Sequence, residues 1–236
     1  MNRRHLSERF LALLLAPLVL VVLAIIFVCY LPTRGNSFLY RSERMKSPTE
    51  SFTLFKIRTM HPPLPSDDES VLGGDQSDRV TPLGGILRKT RLDELPQIFN
   101  VLRGDIGFVG PRPPLRRYVD AYPGEYARVL KRRPGVTGLA TVFVCRREER
   151  LLSTSQTPAQ TDLIYRRSCI PWKTRLDLFF ADHASPALYG YILFRTVFRR
   201  RVVAARKLRR GIALLERPKQ LVAPTTTQSF PKSAET

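Results

Sequence analysis

Cysteine is scarce in this chain. Three residues, Cys29, Cys145 and Cys169, lie far apart among 236 positions, an odd count with no metal-ligand spacing. That pattern excludes a disulfide framework and a cysteine metal site, and it fits free thiols in a reducing compartment. Acid is scarce too: 20 Asp and Glu stand against 39 Lys and Arg, a formal charge of +19. Such an imbalance requires an anionic partner, and nucleic acid, an acidic membrane face and a phosphorylated substrate all qualify. No nucleic-acid module or interleaved aromatic platform accompanies the charge, so nucleic acid is not the expected partner. Long apolar runs are limited to one, and there is no internal repeat. Residues 176–194 are apolar but carry Asp177, Asp182, His183 and Pro186, which argues against a second span. They are expected to form a strand or short helix and then an amphipathic helix.

The one long run, FLALLLAPLVLVVLAIIFVCY from Phe10 to Tyr30, has no charge. About 20 apolar residues suffice to span a bilayer. A cleavable leader would have a shorter apolar core and a small-residue cleavage site, whereas this run is long and ends in bulky residues. Arg3, Arg4 and Arg9 precede it, and Arg34, Arg41, Arg44 and Lys46 follow. Positive charge on both flanks conflicts with a simple crossing. A break at Pro17 would instead return the chain to the face it entered. The residues alone leave spanning and re-entrant helices both open.

After this segment, residues 35–60 alternate apolar and polar and end in SFTLFKIRTM, a strand with Lys56 and Arg58 on one face. HPPLPSDDESVLGGDQSD has the composition of a mobile loop. Residues 115–133 form a charged helix interrupted at Pro123-Gly124, and Pro134 to Gly138 form a tight turn entering a strand, LATVFV. The Ser/Thr/Gln-rich stretch from Glu148 to Asp162 suggests a surface insertion. Beyond Phe194 a basic segment carries an apolar stripe of Val197, Val202, Ala205 and Leu208, the pattern of an interfacial helix on anionic lipid. The last residues, VAPTTTQSFPKSAET, have the composition of a disordered tail.

The most informative stretch is RKTRLDELPQIFNVLRGDIGFVGPRP, residues 88–113. Asp93 and Glu94 sit between Arg88, Lys89 and Arg91 and a helix whose start Pro96 places near Arg91 to Glu94. Leu95, Ile98, Phe99 and Leu102 follow at helical spacing. The helix dipole and the neighbouring cations then favour an ionised Asp93. Such a carboxylate can act as a nucleophile or hold a metal, and it can also be no more than a helix cap. The stiff loop Val109-Gly110-Pro111-Arg112-Pro113-Pro114 tilts the balance, because it offers Arg112 for bidentate phosphate recognition.

These blocks resemble the bacterial sugar transferase family, the monotopic phosphoglycosyl transferases that start glycan assembly on polyprenol phosphate. The resemblance covers roughly residues 3–200. It rests on the basic start before an apolar segment with Pro17, then FTLFKIRTM, RKTRLDELPQIFNVLRGDIGFVGPRP and RPGVTGLATV in that order. It implies an α/β, membrane-associated monotopic fold, with a hydrophobic helix at residues 1–33 re-entrant at Pro17. A catalytic domain would follow at 34–200, a basic amphipathic helix at 201–221 and a tail at 222–236. The implied chemistry is nucleophilic attack by Asp93 on the β-phosphorus of a nucleoside diphosphate sugar, forming an aspartyl phosphosugar and releasing UMP. Undecaprenyl phosphate, deprotonated with help from Glu94 or by its own second ionisation, then takes the phosphosugar. Lys56, Arg58, Arg88, Arg112 and Asp177 are the implied substrate-binding residues. Mg2+ is the implied cofactor, with Asp93 as a ligand, and the cytosolic face of a bacterial inner membrane is the implied location.

Departures from the family pattern are specific. The usual Ser-Pro of the helix is Ala16-Pro17, and the early acidic residue has only the out-of-register Glu8. An Asn-Gly-Arg turn gives way to Phe143-Val144-Cys145-Arg146-Arg147, where Arg146 or Arg147 could replace the arginine. The second of two late aspartates falls on Tyr189. That last change motivates a rival, a catalytically impaired member that scaffolds a glycan-assembly complex. A membrane-anchored basic protein that binds lipid or nucleic acid is the other.

Overall fold

The computed structural model describes residues 3–31, 37–62, 79–155 and 157–197. The expected basic helix at 201–221, the tail and nearly all of the expected mobile loop lie outside them. The first element, α1 (Arg3–Tyr30), does not break at Pro17. The proline ring removes one N–H from the ladder, a loss that a long apolar helix tolerates. Being apolar on all sides, α1 has a packed face and a bare one. Ala12 joins Phe52, Leu54, Ile98, Val101 and Ile106 in one core cluster, and Leu23 and Ile26 join Ile57 and Leu87 in another. Near its start, Arg9 Nη2 donates to the Arg103 carbonyl at 2.8 Å, and Glu8 pairs with Arg133 at 3.8 Å. At its end Phe27 and Tyr30 meet Phe38 edge-on, with ring centroids 5.2 and 5.3 Å apart. The opposite face, including Phe10, Leu13, Leu14, Leu18, Val21, Ile25 and Val28, is exposed.

Strands β1 (Leu39–Met45) and β2 (Ser51–Ile57) form an antiparallel hairpin with Tyr40 opposite Lys56 and Arg44 opposite Phe52. Helix α2 (Pro82–Thr90) starts cleanly, because Thr81 Oγ1 accepts from the Gly84 amide at 2.9 Å and Pro82 occupies the first turn. It ends at Arg91, whose φ of 62° is the one positive value among the described non-glycine residues.

Here the structure corrects the expected helix start. Leu92–Glu94 is a 3-10 turn, and α3 begins only at Gln97 (Gln97–Arg103) with Pro96 as its cap. Pro96 has no N–H to give to Leu92, whose carbonyl instead accepts from Leu95 at 3.2 Å, so the tighter turn persists. Buried Asn100 then locks α3 to β2. Its Nδ2 donates to the Thr53 carbonyl at 2.8 Å and its Oδ1 accepts from the Phe55 amide at 3.2 Å.

A second, parallel pair joins β3 (Gly107–Val109) to β4 (Gly135–Thr137). Between them the charged segment is split as expected, into α4 (Arg116–Ala121) and α5 (Pro123–Val129). LATVFV is not a strand. It opens α6 (Leu139–Leu152), and Leu139, Ala140 and Val144 pack on Leu176, Phe180, Leu188 and Ile192. The expected surface insertion is likewise ordered at both ends, because α6 runs to Leu152 and α7 spans Pro158–Ile164. A π-turn at Tyr165–Cys169 leads into α8 (Ile170–His183), where Pro171 cannot donate to the preceding turn. After a break at Ala184-Ser185, α9 (Pro186–Val197) is the last described element; of the strand or short helix expected before it, the structure has the helix. The result is mixed α and β, with two two-stranded sheets instead of one open nucleotide-binding sheet.

Candidate active site

The 3-10 turn, packed against β2 and α2, carries two adjacent carboxylates, and both are buried. One oxygen of Glu94, Oε1, takes three cations: Arg112 Nη2 at 2.8 Å, Lys56 Nζ at 3.4 Å and Arg91 Nη1 at 3.5 Å. Burial pushes the Glu94 carboxyl up, but the summed pull of Arg112, Lys56 and Arg91 wins and holds it well below the usual carboxylate range. The same contact keeps the Arg112 guanidinium firmly protonated. For Lys56, burial and repulsion from Arg112 outweigh the two carboxylates and bring its ammonium down to about 8.

Asp93 is placed differently. Its Oδ1 is buried and has no hydrogen-bond partner. Burial raises its carboxyl above the ordinary value, the pull of Lys56, Arg88 and Arg91 notwithstanding, and the charge of Glu94 adds to the rise. The expectation that dipole and cations favour ionisation is therefore corrected in direction, because desolvation is the larger effect. Arg88 is fixed by Nε donation to Thr59 Oγ1 at 2.8 Å and acts electrostatically on Asp93.

Lys56, Arg88, Asp93, Glu94 and Arg112 thus converge, as does Arg91. Arg58 does not join them. It follows the end of β2, where its Nε donates to the Ser37 carbonyl at 3.1 Å and its guanidinium lies over the Tyr40 ring. Asp177 is also elsewhere, buried in α8 with Oδ1 unpartnered, and desolvation lifts it to about 8 against the opposing charge of Lys173. Tyr189 packs on Phe180, centroids 5.5 Å apart, in the core cluster that joins α6, α8 and α9.

The Arg112 loop is held by backbone. Gly110 donates to the Thr137 carbonyl at 2.9 Å, and Gly135 donates to the Pro111 carbonyl at 2.9 Å. A Cβ on Gly110 would stand 2.4 Å from the Arg133 carbonyl oxygen, which is the close approach the loop needs glycine for.

Sequence reasoning missed the contribution of α6. Arg91 Nη2 donates to Cys145 Sγ at 2.9 Å, the thiol donates to Glu149 Oε1 at 3.2 Å, and burial pushes that thiol up. Arg147, a candidate replacement for the family arginine, is instead stacked over Trp172. Glu148 acts on Arg112 through space and binds Lys173 at 2.6 Å, and Lys173 also donates to Tyr165 at 3.2 Å. No short motif could have signalled these contacts, since Cys145 lies 54 residues from Arg91.

Residues 3–202 match the profile of the family described as bacterial sugar transferase. The chain is 37% identical over 139 residues to a UDP-glucose:undecaprenyl-phosphate glucose-1-phosphate transferase of Caulobacter vibrioides, covering 57% of this chain and 51% of that protein. A Klebsiella pneumoniae protein of the same name is 31% identical over 200 residues, 83% of this chain and 39% of its own. A UDP-N-acetylgalactosamine-undecaprenyl-phosphate N-acetylgalactosaminephosphotransferase of Aeromonas hydrophila is 37% identical over 108 residues, 44% of this chain and 25% of its own. The chain spans about half the length of these relatives, or less.

Proposed function

Because the chain belongs to the bacterial sugar transferase family, we propose that it transfers a phosphosugar from a UDP-sugar to undecaprenyl phosphate. The observation that carries the reading is Asp93: a buried carboxylate with one unpartnered oxygen, beside cations whose shared counter-charge is the neighbouring Glu94. A carboxylate oxygen of Asp93 bonds to the β-phosphorus, and the bond from that phosphorus to the bridging oxygen breaks. UMP leaves with the bridging oxygen and the electron pair. The acceptor's phosphate oxygen then attacks the same phosphorus and frees Asp93, giving a polyprenyl diphosphate sugar.

Lys56, Arg112, Arg91 and Arg88 are placed to take up charge on the phosphoryl groups, a role that stiffly held guanidinium groups suit. Glu94 serves best as the organiser of these cations. A carboxylate so strongly held in its ionised form is a poor proton acceptor, so the acceptor phosphate relies on its own second ionisation. The donor set also suits Mg2+. That ion commonly takes one or two carboxylates and completes its shell with water and substrate phosphate. Asp93 would hold it through one carboxylate oxygen while the other attacks phosphorus, and the rest of the shell would be water and substrate phosphate, since among the described residues no group of three acidic, His or Cys side chains gathers at this site or at another. The ion would neutralise phosphate charge.

The bare apolar face of α1 is read as lying in lipid on the cytosolic side of a bacterial inner membrane. Because both ends of α1 touch the same domain, the helix would be seated in one face of the bilayer and not cross it. Tyr189, which motivates the scaffold rival, is half-buried against Phe180, and the ion pairs of Glu94 are made by Lys56, Arg91 and Arg112. The test is UMP release in nanodiscs from a panel of UDP-sugars with Mg2+, with and without undecaprenyl phosphate. Steady release that needs both substrates, with no more than one UMP per enzyme when undecaprenyl phosphate is left out, and that is lost in Asp93→Asn is the expected result. Full activity of Asp93→Asn would overturn the mechanism.

A further inference from the structure

One cation beside the cluster has no counter-charge. Arg44 lies near the end of β1, and the next amide, that of Met45, donates to the Pro114 carbonyl at 3.0 Å, tying the strand to the Arg112 loop. In the hairpin register Arg44 has the same parity as Tyr40, the partner of Lys56, so Arg44 and Lys56 share a face. Arg44 Nε donates to Ser42 Oγ at 3.2 Å, yet the side chain makes no ion pair among the described residues. The charged neighbours acting on it and on Lys56 include Arg112, which is itself held by Glu94. Behind it stand Tyr118 and Tyr165, rings 4.9 Å apart, which offer no formal charge.

A half-buried guanidinium beside other cations is unfavourable unless an anion reaches it. Arg44, Lys56, Arg88, Arg91 and Arg112 outnumber Asp93 and Glu94, Glu148 being already bound to Lys173 at 2.6 Å, and a nucleotide diphosphate would reduce the surplus with one negative charge on each phosphoryl group. We infer that Arg44 is a substrate-phosphate ligand, contributed by β1 on the face that also carries Lys56, and that the group it takes is the donor's diphosphate. Burial and the repulsion of Arg112 both weaken its hold on its proton, the opposite of what a built-in carboxylate partner would do. This inference rests on the transfer reading above and names a residue which that reading did not assign.

The experiment compares wild type, Arg44→Gln and Arg44→Lys in nanodiscs. It measures KM and kcat for the UDP-sugar and for undecaprenyl phosphate, and binding of UDP and of inorganic pyrophosphate by titration calorimetry. The expected result for Arg44→Gln is a donor KM and a UDP Kd raised about 10- to 100-fold, with the KM for undecaprenyl phosphate and the thermal midpoint nearly unchanged. Arg44→Lys should recover part of the loss, since it keeps the charge without the fork. A rise confined to the KM for undecaprenyl phosphate would overturn the donor assignment and hand Arg44 to the acceptor phosphate. Unchanged constants for both substrates, or a Gln variant that fails to fold while the Lys variant binds UDP like wild type, would overturn the inference altogether. If wild type releases no UMP from any donor, the transfer reading fails by itself, and UDP and pyrophosphate binding still decide the case of Arg44.

Discussion

Asp177 and Asp93 are both raised by burial, but Asp93 has several cations close by and Asp177 is opposed by Lys173. The difference has a measurable consequence. Asp177 titrates at about 8 in the folded chain, against an ordinary 3.8. Between those values the folded state holds a proton that the unfolded state has released, so stability falls as pH rises through the window. Asp177→Asn removes that fall. Its thermal midpoint in detergent should drop less than that of wild type between about pH 5 and about pH 8, a gap on the order of 4 kcal/mol. Parallel curves would show that Asp177 is already charged and paired. At this scale the sequence was legible where partners are close in the chain, as with Asp93, Glu94 and Arg112. It was illegible for Cys145, Glu148 and Arg44, because only the Arg91–Cys145 contact with α6 and the pairing of β1 with β2 bring them near. Arg58 shows the converse error: strand parity put it beside Lys56, but β2 ends at Ile57 and the arginine turns to Ser37.

Among the elements, strand β2, the split charged helix and the Arg112 loop follow from local signals, namely alternation, Pro123-Gly124 and the prolines around Gly110, whereas the turn that makes residues 39–57 a hairpin was not read. LATVFV misled because its β-branched residues favour a strand. The strand is in fact the preceding Gly135–Thr137, and the apolar run goes to a helix whose inner face closes the core against α8 and α9. Tertiary packing outweighed propensity there. The β3–β4 pair therefore has little slack, and Gly110→Ala tests it. The added methyl would meet the Arg133 carbonyl oxygen at 2.4 Å and push apart the strands that hold the Arg112 loop. The expected outcome is a loss of about 2 kcal/mol in stability, seen as a lower thermal midpoint, together with a raised donor KM. A variant with wild-type midpoint and KM would mean that the loop is not positioned by this contact.

Across the molecule, the change of composition near residue 33 suggests a division between an anchor and an enzyme, but packing crosses it. Ala12 is fully buried in a core cluster with Phe52, Ile98 and Val101, whereas Leu14, two positions on, is 68% exposed. Opposite faces of one helix should thus respond differently to the same charge. Ala12→Glu should lower the thermal midpoint and abolish transfer, by about 3 kcal/mol or more for an unpaired buried carboxylate. Leu14→Glu should leave the midpoint in detergent intact and reduce vesicle flotation, by about 2 kcal/mol of partition free energy. Equal effects at both positions would refute a two-faced α1. The seam between the bare apolar face and the packed face consequently runs lengthwise along one helix instead of cutting across the chain. Exchanging the N-terminal segment for another apolar helix would carry off core side chains with it. Such a graft would have to arrive already fitted to Phe52, Ile57 and Leu87, so the helix is not an interchangeable part.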